Sequence, residues 1–146
     1  MEKRNESKNK EKGFTLIELL IVMIILGLLA ALVGPPAIKK LGQSKTKATK
    51  AQITLLETSL DMFRMDVGRY PTTEEGLNAL VQKSQNIERW DGPYLKKGVP
   101  NDPWGKPYQY KCPGEHGDFD IISYGADGKI GGDDENCDIS SWENVK

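Results

Sequence analysis

At 146 residues the chain has room for one modest domain, and residues 1–36 cannot all belong to its core, which leaves ~110 residues for a soluble part. The formal net charge of −1 averages two segments of opposite character. Residues 1–13 carry five basic and three acidic side chains, whereas residues 118–146 carry eight acids against two lysines. The total charge therefore excludes neither a basic leader nor an acidic loop.

Residues 14–33 form an apolar run in which only three of the 20 positions are not apolar. A helix of that length spans ~30 Å, enough to cross a bilayer. The basic residues before it place residues 1–13 in the cytoplasm by the positive-inside tendency, although five lysines between residues 39 and 50 weaken that preference. We therefore predict a single-pass membrane helix with the following domain outside the cytoplasm.

The junction Gly13-Phe14 decides whether this helix stays in the mature protein. An ordinary secretory signal has a shorter apolar region and a cleavage site after it, whereas a cut after Gly13 would remove only the leader. The stretch Gly13-Phe14-Thr15-Leu16-Ile17-Glu18 resembles the processing motif of the type IV pilin superfamily. The resemblance implies that a prepilin peptidase cuts after Gly13, that the new amine of Phe14 becomes methylated, and that Glu18 is needed for assembly.

Glu18 is a carboxylate near the start of an apolar helix, and it needs a partner there. A charge at the centre of a membrane helix costs roughly 2.5 to 3.5 kcal/mol, and less near its end. In an array of subunits, Glu18 can meet the Phe14 ammonium group of a neighbouring chain, which would neutralise both and fix the axial register. The alternative is a tolerated interfacial glutamate in an ordinary membrane anchor.

The helix is expected to continue as a stalk to about residue 68, ~80 Å long in all. Gly34-Pro35-Pro36 predicts a kink or a locally unwound segment. Beyond it, apolar residues recur three and four positions apart, which indicates one buried face. These residues are Ala48, Ala51, Leu55, Leu56, Leu60, Phe63 and Val67. The lysines at residues 39–50 have no interleaved aromatics, so we interpret them as a solvated or inter-subunit face and expect no nucleic acid partner.

The remaining chain predicts short elements. A capping pattern at Thr72-Thr73-Glu74-Glu75 begins a short helix over residues 73–82. Turn-forming residues then lead to two strands, at residues 108–111 and 119–123.

Four later features narrow the resemblance to the major pseudopilins of type II secretion systems: "GRYPTTEEGLNAL", "DPWGKPYQY", "PGEHGDFDIISYGADG" and the late Trp142. This resemblance implies an α+β fold, in which a long N-terminal transmembrane and stalk helix packs on a small antiparallel sheet with a C-terminal calcium-binding loop. It also divides the chain into a cytoplasmic leader at residues 1–13, a transmembrane and filament-core helix at residues 14–34, and a periplasmic domain at residues 35–146, whose strands and loop fall within residues 100–146.

The acidic loop, residues 124–138, is rich in carboxylates and glycines, which suits Ca²⁺ because this ion accepts carboxylate, carbonyl and water oxygens. From composition alone, a solvated acidic loop is as good an interpretation. Lys129 and Gly131 occupy places where an EF-hand needs side-chain oxygens, so we reject that motif. The family resemblance implies a Ca²⁺ site with the carboxylates of Asp127 and Asp138 and backbone carbonyls near Tyr124 and Lys129, and leaves open whether Asp133, Asp134 or the Cys137 carbonyl completes it.

Cys112 and Cys137 are compatible with one disulfide in an oxidising compartment, and two unpaired thiols are the alternative. Closing that loop would stabilise the fold by roughly 3 kcal/mol. We expect the bridge to preorganise the acidic loop for calcium.

No enzyme motif stands out. The single histidine, His116, lies in a Pro-Gly turn, where histidines are usually just exposed, and the chain has no phosphate loop, HExxH or GxSxG. We therefore expect a structural protein, not an enzyme.

The resemblance implies a homo-oligomeric periplasmic filament that helps to export folded proteins across the outer membrane. It also implies minor pseudopilins, a prepilin peptidase, an inner-membrane platform with a cytoplasmic ATPase, and membrane lipid before assembly as partners. A surface type IV pilin for adhesion, motility or DNA uptake, and a membrane-tethered calcium-binding module that never polymerises, are the alternatives.

Overall fold

The structure is a computed structural model that describes residues 13–85 and 87–144. One long helix, α1 (Leu16–Val67), is followed by three short strands, β1 (Gln109–Lys111), β2 (Asp120–Ser123) and β3 (Ile139–Ser140). Single 3₁₀ turns lie at Leu77–Leu80, Asp134–Asn136 and Trp142–Asn144. The chain forms two compact units, the first ending at Ile38 and the second beginning at Lys39.

The first unit contains the apolar part of α1. Leu16–Val33 is long and apolar enough to cross a membrane, and none of it is buried within the chain. Helical backbone continues through Gly34-Pro35-Pro36, so of the two predicted alternatives, a kink or local unwinding, the unwinding is wrong.

The second unit has its core on one face of α1. Ile53, Leu56, Leu60 and Phe63 are fully buried at spacings of three and four residues, and they share one core cluster with Ile121 of β2 and Ile139 of β3. The prediction of a buried face is confirmed from residue 56 onward. It is wrong for Leu55, which is 55% exposed, and for Ala48 and Ala51, which lie on the exposed side.

The three strands form one antiparallel sheet in the order β1-β2-β3. Gln109 pairs with Ile122 across β1 and β2, and Ile122 pairs with Ser140 across β2 and β3. The strands predicted at residues 108–111 and 119–123 are confirmed to within one residue at their starts. β3 was not predicted, because two residues are too few to show an alternating pattern.

The segment after α1 holds a capping box, and the short second helix that follows is confirmed only as a 3₁₀ turn. Thr72 N donates to Glu75 Oε2 at 2.8 Å, and Glu75 N donates to Thr72 Oγ1 at 3.2 Å. Gly76 has φ +59°, which takes the backbone out of the right-handed helical region, so only the 3₁₀ turn Leu77–Leu80 follows.

Candidate functional site

The predicted cleavage site lies before the first turn of α1. Gly13 and Phe14 are both exposed and non-helical, and the Phe14 side chain is 89% exposed. A protease needs accessible backbone outside regular secondary structure, and Gly13 and Phe14 meet that requirement.

Glu18 closes a capping box at the start of α1. Its Oε2 accepts hydrogen bonds from Thr15 N and Thr15 Oγ1, both at 2.8 Å, and Glu18 N donates to Thr15 Oγ1 at 3.3 Å. The sequence analysis missed this role, although Thr-x-x-Glu is the spacing of a capping box. Both Thr15 donors bind the same oxygen, so the other carboxylate oxygen remains for a second partner.

In the acidic loop, the two principal ligand candidates are held by loop backbone. Asp127 Oδ1 accepts a hydrogen bond from Lys129 N at 3.0 Å, and Asp138 Oδ2 accepts one from Gly131 N at 2.9 Å. The other oxygen of Asp138 is buried and has no hydrogen-bond partner. A buried carboxylate oxygen without a donor is costly, and a cation would satisfy it.

The other acidic candidates do not join these two. Asp133 and Asp134 are exposed and lie at the 3₁₀ turn Asp134–Asn136. Within residues 13–85 and 87–144, no three acidic, histidine or cysteine side chains lie together as metal ligands. A Ca²⁺ site here would therefore depend on two carboxylates and on backbone carbonyls, which is an all-oxygen set that Ca²⁺ accepts.

Backbone contacts close the base of the loop. Ala126 N donates to Glu135 O at 2.8 Å, and Gly128 N donates to Tyr124 O at 3.1 Å. A Cβ added to Gly125 would lie 2.6 Å from Glu135 O and 2.9 Å from Cys137 O, so only glycine fits there. We call Gly125, Ala126 and the facing Glu135 the neck of the acidic loop.

The predicted disulfide is not formed in this fold. Cys112 and Cys137 are both free thiols. Cys112 Sγ lies 3.4 Å from Asp118 O, just before β2 begins. The Cys137 carbonyl instead lies against Gly125, just after β2 ends. The four residues of β2 alone span ~13 Å, and a disulfide needs Cα atoms within about 7 Å. The expected calcium loop therefore has no bridge to preorganise it.

His116 is more engaged than an ordinary turn histidine. Its ring stacks on the Trp142 ring, with centroids 3.8 Å apart and planes 7° from parallel, and its Nδ1 lies 3.1 Å from Asp120 Oδ2. Burial would raise the pKa of Asp120, but hydrogen bonds from Glu115 N and from the His116 ring and backbone outweigh it and hold that pKa below its usual value. The group ties the C-terminal 3₁₀ turn to β2 and has no nucleophile in it.

Two family models match the chain, and together they cover both units. The model described as type II secretion system (T2SS), protein G matches residues 37–142, and the prokaryotic N-terminal methylation motif matches residues 8–34. The chain belongs to the type II secretion system protein G family. The methylation motif contains Gly13, Phe14 and Glu18, so the three residues singled out from the sequence fall within it.

Individual members of the protein G family are similar over nearly the whole chain. Type II secretion system core protein G of Pseudomonas aeruginosa is 47% identical over 94% of this chain and 99% of its own length. The corresponding protein of Aeromonas hydrophila is 44% identical over 92% of this chain and 94% of its own length. A solved structure, the major pseudopilin from the type 2 secretion system of enterohaemorrhagic Escherichia coli, has 38% identity and a TM-score of 0.61, and the match covers 75% of this chain and 96% of that one.

These matches confirm the α+β pilin-like fold and the membership of the protein G family that the sequence motifs implied. Sequence reasoning missed one cluster near the acidic loop. Asp102, in the "DPWGK" turn, is only 4% exposed, and its Oδ2 accepts a hydrogen bond from Ser123 Oγ at 2.7 Å. The signal was present in the sequence, since an aspartate two residues before a Trp-Gly turn is suited to accept backbone N–H groups.

Proposed function

We propose that the protein is the major structural subunit of the periplasmic pseudopilus of a type II secretion system. The membership of the protein G family carries this proposal, together with an exposed apolar helix directly after the methylation motif. The subunit polymerises into a helical filament that helps to drive folded proteins across the outer membrane. Its work is mechanical.

The chain begins as a single-pass inner-membrane precursor with its C-terminal domain in the periplasm. A prepilin peptidase removes residues 1–13 and leaves Leu16–Val33 in the bilayer. The partners are other copies of the chain, minor pseudopilins, and an inner-membrane platform with a cytoplasmic ATPase. The exposed apolar surface of Leu16–Val33 needs lipid before assembly and other helices after it, because contact with water is unfavourable and the chain itself buries none of it.

Glu18 sets the register between subunits. Its Oε2 keeps the hydrogen bonds from Thr15 of its own chain. Its Oε1 accepts a hydrogen bond from the Phe14 ammonium group of a neighbouring subunit. Cleavage creates that ammonium group, so only processed subunits can pair. The pair neutralises both charges inside an apolar bundle, where an unpaired charge is expensive.

Three variants separate the charge of Glu18 from its capping role. Glu18→Gln keeps an oxygen that can accept from Thr15 but removes the charge, so we expect normal membrane levels and no filament. Thr15→Val removes the hydroxyl of the cap and keeps the charge, so filaments form. Glu18→Ala removes both and fails to assemble. The measurement is pelleting of sheared filaments from cells that express each full-length variant, and Glu18→Gln filaments at wild-type yield would refute the pairing.

We further propose that the acidic loop binds Ca²⁺. Asp127 and Asp138 supply carboxylates, and Tyr124, Lys129 and Cys137 supply backbone carbonyls. The buried oxygen of Asp138 that has no hydrogen-bond partner supports this proposal. The candidate ligands are also all oxygens, which Ca²⁺ prefers. The bound ion would draw the two sides of the loop together and rigidify the domain for lateral contacts.

The test is the calcium-dependent rise in unfolding temperature of the full-length protein in detergent micelles. Asp127→Asn and Asp138→Asn are expected to abolish the rise. Glu74→Gln removes an equal charge from an exposed position outside the loop and is expected to retain it. A wild-type protein whose unfolding temperature is the same in calcium and in EDTA would contradict the proposal.

A further inference from the structure

The neck of the acidic loop is held by a lysine from a distant part of the chain. Lys106 Nζ donates to Ala126 O at 2.6 Å and lies 3.4 Å from Gly125 O. The same side chain lies against Gly128, where an added Cβ would be 2.8 Å from Nζ. One ammonium group therefore bonds to two carbonyls before Asp127 and lies beside the glycine that follows it.

Lys106 is itself fixed by the turn from which it extends. Its N donates to Asp102 Oδ1 at 2.8 Å, and its O accepts from Asp102 N at 2.8 Å. The other oxygen of Asp102 accepts from Ser123 Oγ, at the end of β2. The turn and the end of β2 are thus one hydrogen-bonded unit, and Lys106 extends from it to the neck.

The partners of this ammonium group are unusual for a lysine. Among the described residues, no carboxylate lies within ion-pair distance of Lys106, and its bonds are to main-chain carbonyls. Hydrogen bonds from a charged donor are roughly twice as strong as neutral ones. Lys106 is also half-buried, so its bonds are screened less than those of an exposed lysine.

We propose that Lys106 is a positioning residue for the metal site: it holds the Gly125 and Ala126 carbonyls so that Tyr124 and Asp127 keep their binding geometry before calcium arrives. This inference rests on the proposed calcium function of the acidic loop. Because the loop is ordered in advance, less conformational entropy is lost when the ion binds. In this chain Lys106 preorganises the acidic loop, which is the role that the predicted disulfide was expected to have.

Electrostatics and positioning predict opposite results for the loss of Lys106. A positive charge near a Ca²⁺ site repels the ion, so removing it should strengthen binding if charge were its only role. If Lys106 orders the neck, its removal should weaken binding instead. The sign of the change therefore separates the two roles.

The experiment compares the full-length wild-type protein with Lys106→Met and Lys97→Met in detergent micelles. Lys97 is exposed, and its replacement makes the same charge change outside the loop. Calorimetry measures the dissociation constant for CaCl₂. Hydrogen exchange in EDTA measures the amide of Ala126, which bonds across the neck to Glu135 O, and the amide of Gly128, which bonds to Tyr124 O. We expect Lys106→Met to bind calcium about tenfold more weakly and to exchange these amides about tenfold faster, with Lys97→Met unchanged in both.

Each other outcome has a defined meaning. Unchanged exchange in Lys106→Met, or calcium binding as tight as or tighter than in the wild type, would overturn the inference while calcium binding by the wild type stands. A wild type that binds no calcium would instead refute the proposed calcium function, and it is measured first. If Lys106→Met does not fold, Lys106→Gln takes its place with the same expected signs, and Lys106→Arg, which keeps the charge and the donors, must restore slow exchange.

Discussion

Glu75 shows how one side chain can satisfy a turn that does not become a helix. Its two oxygens accept hydrogen bonds from Arg69 at 2.7 Å each, and one of them also accepts from Thr72 N. Arg69 is the main cause that holds the pKa of Glu75 below its ordinary value, with Thr72 contributing. The carboxylate is mostly buried, so the group fixes the segment between α1 and the 3₁₀ turn.

We predict that Glu75→Gln lowers the free energy of unfolding by about 1 kcal/mol at pH 7, because it loses the charged bonds to Arg69. A carboxyl with a lowered folded pKa contributes stability above its unfolded pKa and loses it as the pH falls through the folded pKa. The difference from wild type should therefore be constant above about pH 5 and shrink below about pH 4. Urea unfolding followed by tryptophan fluorescence measures it, since all three tryptophans lie in the second unit.

The exposed Glu74 provides the matched control for this series. Glu74→Gln should leave stability unchanged at every pH. A Glu75→Gln deficit that persists undiminished at pH 3 would show that the charge is not its origin.

The reactivity of the two cysteine thiols tests the register of the strands. Cys112 and Cys137 lie beyond opposite ends of β2, so we predict that both react with a maleimide in non-reducing buffer. Mass spectrometry of the labelled protein should show two additions, and the Cys137→Ser variant should show one. Labelling that requires prior reduction of the monomer would contradict this register.

At the scale of elements, the helix could be predicted from the sequence more fully than the loops. The apolar spacing of Leu56, Leu60 and Phe63 identified the buried face, because that pattern is local. Leu55 was assigned to the wrong side because only the position of the sheet decides which of two adjacent leucines is covered. The short helix predicted at residues 73–82 is reduced to the 3₁₀ turn Leu77–Leu80, because Gly76 has a positive φ that no capping pattern reveals.

The candidate site was predictable only in its residue types. Asp127 and Asp138 are visible as acids between glycines, whereas their hydrogen bonds and the bare oxygen of Asp138 depend on how the chain returns to β3. Lys106 lies 20 residues from the carbonyl that it contacts, and no local pattern joins the two. The disulfide prediction failed for the same reason, since spacing along the chain does not give the register of a sheet.

Alanine substitutions at two glycines of the acidic loop distinguish the cost of backbone strain from the cost of steric crowding. Gly125 and Gly131 both have positive φ, but an added Cβ meets backbone within 3 Å at Gly125 and nothing within 4 Å at Gly131. We predict that Gly131→Ala costs about 1 kcal/mol of stability and Gly125→Ala at least about 3 kcal/mol, because the neck must open to admit the methyl group. Urea unfolding measures both, and equal costs would show that the neck is not tightly closed.

At the scale of the whole molecule, the two units have different requirements. The second unit buries a core of its own, whereas the first exposes Leu16–Val33 entirely. An exposed apolar helix of this length is stable in a bilayer or against other helices, and the proposed function uses both in turn. The account therefore depends on this helix remaining in the mature protein.

The mass of the N-terminal peptide in protein recovered from cell membranes tests that dependence most directly. The account predicts that the chain begins at Phe14 with a methylated amine, and that the peptide retains Glu18 and the apolar residues after it. A mature chain that still carries Met1 and the basic leader, or one that begins after Val33, would contradict it.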